Sequence, residues 1–297
     1  MLTRLAFGVL WLFHFLPLGA LAAVGNFAGS VGYRLARARR HVGRVNLALC
    51  FPDMPARERE QLLKRHFRAF GRSVFERGVT FWGSKKRIHD TVRVEGIENY
   101  LPLRGEPVII FAPHFVGIDM AAARLATEYR ACAMYARQSN RVADEMLARG
   151  RNRFGNVVLF PRDEGLLPAL RAVKEGLPFL YLPDMDLGAP HSIFIPFFAG
   201  TAATTTGLSV IARVTRAKVL PFIVEQFPGS QGYVVRIHPP LEDFPSASAE
   251  ADTRRMNAYI EARILEMPEQ YHWLHKRFKT RPPGEMDVYA RKSGGAA

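Results

Sequence analysis

The stretch Pro107-Val-Ile-Ile-Phe-Ala-Pro-His114-Phe-Val-Gly-Ile-Asp119 governs the reading of the whole chain. Val108 to Phe111 are β-branched or aromatic with no polar alternation, the mark of a strand buried on both faces. Pro113 ends the strand, because proline has no N–H for the ladder. The residue delivered at that stop is a histidine. The alanine-rich run that follows Asp119 has high helix propensity, so the junction is strand, turn, helix. Reactive groups in open α/β sheets collect beyond the carboxyl ends of strands. On one continuous helix, side chains five residues apart diverge by about 140°. With His114 in the turn and Asp119 in the first helical turn they can meet. The spacing therefore predicts that Asp119 holds one imidazole nitrogen and leaves the other as a general base.

Outward from this stretch, short apolar runs alternate with amphipathic ones. Strands are expected at Val92–Val94, Val108–Ala112, Cys132–Tyr135, Val157–Phe160, Phe179–Leu182, Val219–Val224 and Tyr233–Ile237. Helices are expected at Met120–Glu128, Arg141–Phe154, Glu164–Lys174 and Thr205–Thr215. This pattern implies an α/β fold, a largely parallel sheet flanked by helices. The expected organisation is an N-terminal membrane anchor over 1–30, a basic helical segment over 31–90 and an α/β catalytic domain over 91–290.

Leu5 to Val24 contains no full charge and approaches the length of a bilayer core. A membrane helix is expected there, spanning or monotopic, with His14 and Pro17 weakening it as a clean span; it lies outside the α/β pattern, so that removal of Met1 to Gly25 would leave the body folded. Gly25 and Gly29 form a GxxxG pair in this region. Arg34, Arg37, Arg39, Arg40 and Arg44 follow, and such charge stays cytoplasmic beside anionic lipid. Ala56 to Trp82 is an amphipathic helix with Leu63, Phe67, Phe70 and Val74 on one face and Lys64, Arg65, Arg68 and Arg72 around it.

The chain of 297 residues carries 41 Lys+Arg against 27 Asp+Glu. Between Arg34 and Arg93 there are 16 basic and 5 acidic residues, so most of the +14 excess lies in one stretch. Such a field attracts anionic lipid, nucleic acid or an acidic carrier protein. Beside a membrane segment, lipid is the expected partner and nucleic acid is not. Cys50 and Cys132 form no CxxC and are expected to be reduced structural thiols. No GxSxG, P-loop or dinucleotide glycine motif is present, which leaves serine hydrolases and nucleotide enzymes unsupported.

Other polar residues are candidates for substrate binding. Asp184 and Asp186 follow a strand end and are expected to orient substrate or their own loop. With His191 they lack metal-ligand spacing, and no metal or organic cofactor is required. Thr204 lies where a helix start would bind phosphate. Arg137, Arg149, Arg151 and Arg171 follow the His114 strand and can grip acceptor phosphates. Lys276, Arg277, Lys279 and Arg281 are expected to face headgroups.

Several motifs in order give a family resemblance. They are Arg44-Val-Asn-Leu-Ala-Leu-Cys-Phe-Pro-Asp53, Ala112-Pro-His-Phe-Val-Gly-Ile-Asp119, Pro183-Asp-Met-Asp-Leu-Gly188, Ile195-Pro-Phe-Phe198, Ala202-Ala-Thr-Thr-Thr-Gly207 and Trp273-Leu-His-Lys-Arg-Phe-Lys-Thr-Arg-Pro282. Over most of its length the chain resembles the late acyltransferases of lipid A biosynthesis, within the lysophospholipid acyltransferase superfamily. The resemblance implies an inner-membrane enzyme with its catalytic domain on the cytoplasmic side. It implies an acyl carrier protein thioester as donor and a phosphorylated lipid A precursor as acceptor. His114 matches the general base and Asp119 its orienting acid, where many relatives carry Glu. A lysophosphatidic acid acyltransferase would share HxxxxD, but its second block, resembling Phe-Pro-Glu-Gly-Thr-Arg, is replaced here by Pro183 to Gly188. A non-enzymatic basic membrane adaptor would have no use for a histidine at a strand end.

Overall fold

The computed structural model describes residues 2–290. The N-terminal third is helical: α1 (Leu2–Phe13), α2 (Leu18–Leu35), α3 (Arg37–Cys50), α4 (Ala56–Trp82) and α5 (Lys85–Thr91). There follow β1 (Val92–Glu95), β2 (Val108–Phe111), α6 (Ile118–Ala126), β3 (Ala131–Tyr135), α7 (Arg141–Arg151), β4 (Val157–Pro161), α8 (Leu167–Lys174) and β5 (Phe179–Tyr181). The chain continues through β6 (Ser192–Phe197), β7 (Gly200–Thr205), α9 (Gly207–Thr215), β8 (Lys218–Gln226), β9 (Tyr233–Ile237) and α10 (Ala249–Glu266).

Seven strands form one sheet in the order β1-β9-β8-β2-β5-β3-β4. All neighbours are parallel except β8 and β9, which are antiparallel. The expected α/β class and largely parallel sheet are therefore present. β2 is central and wholly buried along Val108 to Phe111, as its unbroken apolar run requires. Strand β5 returns to insert between β2 and β3, so β2 and β5 are hydrogen-bonded neighbours although about 70 residues apart in sequence. The antiparallel pair β6–β7 was not expected, since Ala202 to Thr205 reads as a helix approach.

The expected spanning helix is absent. Among the described residues no helix is long and apolar enough to cross a membrane. The apolar run breaks at Pro17, where α1 has ended and α2 begins. Arg87 secures the break by donating to the carbonyls of His14 and Leu16. Nor does α2 stand apart from the body. It runs through position 30 and lies along α4, with Leu21 and Ala22 buried. Gly25 and Gly29 face Gly71 and Arg72 so closely that an added Cβ would collide with backbone, Gly29 with the Phe67 carbonyl and Gly25 with Arg72 Cα. The small-residue pair thus serves a helix crossing within one chain. Leu63 and Phe67 dock α4, while Arg72, placed from sequence among the cations around that apolar face, is 3% exposed and pairs with buried Glu76 at 2.6 Å. Tyr233 of β9 donates to the same Glu76, tying α4 to the sheet.

Candidate active site

Strands β2 and β5 run in register, with Phe111 opposite Tyr181. Each is followed two residues past its end by a proline, Pro113 and Pro183, and then by a polar residue, His114 and Asp184. Equal counts beyond a registered pair put those two residues side by side. The imidazole Nδ1–H of His114 donates to Asp184 Oδ1 at 2.6 Å, and the backbone N–H of His114 donates to Asp184 Oδ2 at 2.9 Å. This tautomer is assigned from the acceptor it faces. It leaves Nε2 with a free lone pair.

Asp184 is 2% exposed. Burial alone would oppose its ionisation. The neighbouring imidazole, its two hydrogen bonds and the Arg277 guanidinium outweigh burial and hold the carboxyl down to about 2. The phenol of Tyr271 is pushed well above its ordinary value, first by burial and then by the nearby Asp184.

Asp119 does not take the place expected of it. Its carboxylate faces two arginines, Arg77 of α4 at 2.8 Å and Arg151 at the end of α7 at 3.4 Å. Burial works against its charge, but those cations hold it down to about 2. The reason is directional. Asp119 is the second residue of α6, and its side chain leaves that helix toward α4 and α7, while the acceptor for His114 comes from the adjacent strand.

His114 lines a cavity of about 1080 Å³, as do Asp119, Arg77 and Arg151. Its walls are mainly apolar and include Ala122, Ala123 and Ala126 of α6, Leu159 of β4 and Phe179 of β5. The alanines of α6 are small and so leave this space open. Tyr100 and Tyr129, stacked edge to face at 5.7 Å, are also in the wall. The cavity is larger than a typical small-molecule pocket and suits a long apolar group. Backbone donors near His114 are mostly engaged. His114 N–H is spent on Asp184, Phe115 N–H on Pro113 O and Val116 N–H on Gln270 O. Arg77 and Arg151 are among the cations that line the cavity, with Arg130, Arg162 and Lys279.

Several expected binding residues lie elsewhere. Arg137 is exposed and paired with Asp163 at 2.6 Å and with Glu164. Arg149 and Arg171 are exposed and outside the cavity wall. Asp186 does reach the cavity wall, but it is buried and its carboxylate is occupied by Gly188 and Thr280. Thr204 is in β7, fully buried, and accepts from Arg277 at 2.6 Å. It is two residues short of the nearest helix, so it offers no phosphate site. The side chain of His191 lies outside the described residues. Arg277, 3% exposed, and Arg281 clamp β7 through Ala203 O at 2.6 Å and Thr201 O at 2.7 Å. Sequence reasoning missed that Arg77 pairs with Asp119 and that Asp184 is the hydrogen-bond partner of His114. The twin strand-proline-polar endings at Pro113 and Pro183 were the available signal.

Comparison with known proteins places these features in a context. The bacterial lipid A biosynthesis acyltransferase family model matches residues 1–280. The chain is 33% identical over 291 residues to the lipid A biosynthesis lauroyltransferase of Escherichia coli, covering 97% of this chain and 94% of that protein. It is 33% identical over 275 residues to the lipid A biosynthesis myristoyltransferase of the same organism, covering 92% and 84%. Among solved structures, a 1-acyl-sn-glycerophosphate acyltransferase from Thermotoga maritima aligns at 18% identity and a TM-score of 0.38, over 87% of this chain and 98% of that one.

Proposed function

The chain belongs to the bacterial lipid A biosynthesis acyltransferase family, and on that premise we propose that His114 is its general base, with Asp184 as the acid that orients it. The enzyme is an O-acyltransferase. Its donor is an acyl carrier protein thioester, and its acceptor is a hydroxyl of a phosphorylated lipid A precursor. His114 Nε2 takes the hydroxyl proton as the oxygen attacks the thioester carbonyl carbon. The carbonyl electrons move to oxygen, then return as the C–S bond breaks, and the departing thiolate takes the proton from Nε2–H. A positioned histidine contributes on the order of 10²–10⁴-fold. Asp184 keeps the tautomer and offsets the positive charge of the imidazolium.

One observation carries this reading: a strand-end imidazole held by a buried carboxylate, opening on an apolar cavity large enough for an acyl chain. Asp119 has a different part in it, as the anion that keeps Arg77 and Arg151 at the cavity wall. There they meet the oxyanion or an acceptor phosphate, in a site where such charges act strongly.

The reading also includes attachment to the cytoplasmic leaflet of the inner membrane without a crossing helix. On α1, Leu5 and Leu12 are each 64% exposed, and Trp11 and Phe15 are exposed beside them. An apolar patch of this kind on a helix with exposed Arg4 is suited to a lipid interface.

The test is direct. Purified enzyme is incubated with lauroyl thioesters of acyl carrier protein and of coenzyme A, and with lipid A precursor or lysophosphatidic acid, and the lipid products are weighed by mass spectrometry. Acylated lipid A precursor formed from the carrier thioester, and abolished by His114→Ala, is the expected result. Transfer to lysophosphatidic acid alone, or full activity without His114, overturns it.

A further inference from the structure

His114 and Asp184 follow different strands, and a third segment bonds to His114 and to Asp186, two residues past Asp184. Residues 270–280 cross beneath the two strand ends. On the His114 side, Gln270 O accepts from Val116 N–H at 2.9 Å, and His272 N–H donates to His114 O at 3.0 Å. Tyr271 bridges to Phe115. On the Asp184 side, His275 Nε2 accepts from the Asp186 N–H at 3.3 Å. Thr280 donates twice to the Asp186 carboxylate, from N–H at 2.7 Å and from Oγ1 at 2.8 Å. Gly188 N–H adds a donor to the same carboxylate at 2.9 Å, folding the loop on itself.

The strap is itself anchored. Asn46 of α3, 1% exposed, donates to Trp273 O and His275 O, each at 2.7 Å. Its amide oxygen accepts from Tyr289 Oη at 2.5 Å, and that oxygen accepts from Phe278 N–H at 3.0 Å. Trp273 and Phe278 fill the space below and are essentially inaccessible to water. This accounts for three separated parts of the sequence at once: the asparagine of Arg44-Val-Asn46, the second aspartate of Asp184-Met-Asp186, and the histidine and threonine of Trp273 to Pro282.

We propose that this strap sets the distance between His114 and Asp184, and that His275 and Asp186 are positioning residues acting through Asp184. The proposal rests on the base role given to His114 above. Its physical content is simple. Asp184 is one residue past a proline that ends β5, and nothing in the sheet continues to fix it. The two bonds from Thr280 and the one to His275 hold the loop two residues further on, so the Asp184 carboxylate cannot drift from His114. His275 accepts only while neutral, and burial foremost pushes its pKa down to about 4, so it remains an acceptor at neutral pH.

The test uses the full chain, a lauroyl carrier thioester and a lipid A precursor. His275→Leu removes the acceptor and His275→Gln keeps one. A displacement of about 1 Å in a reacting group can cost on the order of 100-fold, so His275→Leu is expected to lower kcat by about 10- to 100-fold. KM for the thioester should stay within about twofold, and His275→Gln should recover most of the rate. In an Asp184→Asn background, His275→Leu should cost less than about twofold, because two residues acting on one contact are not additive. If His275→Leu does not fold, Thr280→Val against Thr280→Ser carries the same comparison with one hydroxyl. Unchanged kcat in the folded Leu or Val variants overturns the proposal, as does an equal loss in both backgrounds. Failure of the base role is separable: there His114→Ala itself retains transfer.

Discussion

Replacing Asp184 by asparagine tests the site at its centre. Both carboxylate oxygens accept from the same residue, one from Nδ1–H and one from the backbone N–H of His114. An amide cannot do both. With its oxygen toward Nδ1, its NH₂ meets the backbone N–H, donor against donor. Turned the other way, the NH₂ forces Nδ1 to become the acceptor, the proton moves to Nε2 and the base is lost. The charge has a separate worth. Although burial opposes its charge, the His114 imidazole, the hydrogen bonds from His114 and the Arg277 guanidinium hold this carboxyl down to about 2, so the site is built around the anion. Loss of the charge and the wrong tautomer together are expected to lower kcat by up to about 10⁴. The assay is kcat at saturating thioester, with circular dichroism to confirm that the variant is folded. A folded Asp184→Asn enzyme within about threefold of wild type would refute the orienting role.

Asp119→Asn should release Arg77 and Arg151 and raise KM for the phosphorylated acceptor, while Asp119→Glu, which keeps the charge, should retain more activity; equal behaviour of the two would remove the arginine-holding role. Gly29→Leu should lower stability by about 1–3 kcal/mol or prevent folding, because its side chain meets α4 backbone, and denaturant midpoints measure it. For the same reason, removal of Met1 to Gly25 should cost stability, since buried Leu21 and Ala22 go with it. Acid should unfold the protein between about pH 4 and pH 2. Asp119 and Asp184 have folded values near 2 against 3.8 unfolded, so their stabilisation is complete above 3.8 and is lost as pH falls through 2, and Asp119→Asn should flatten that part of the profile. Trp11→Gln with Phe15→Gln should weaken binding to anionic vesicles and leave turnover on detergent-dispersed substrate nearly unchanged; unaltered vesicle binding would remove α1 from the interface.

Much of the fold was legible because it rests on local pattern. The buried run Val108 to Phe111, the proline that stops it and the alanines of α6 specify strand, turn and helix without reference to anything distant. The position of His114 just past a strand end was legible this way. The N-terminal run was misjudged because hydropathy counts composition and does not see that Gly25 and Gly29 meet another helix of the same chain. Arg72 was misjudged for a related reason: the partner that makes its burial tolerable, Glu76, comes with a hydrogen bond from Tyr233, over 150 residues away.

The partner of His114 is where sequence spacing and tertiary structure divide. Five residues along the chain, Asp119 is close in sequence, yet its direction is set by α6 and carries it to Arg77 and Arg151. Asp184 is 70 residues away, yet the parallel pairing of β2 with β5 puts both strand ends at one level. The chain by itself determined which residues end strands and what chemistry they bring. Which of them touch was decided by strand order and register, and these follow from long-range burial of apolar faces, a property that no short window of sequence contains.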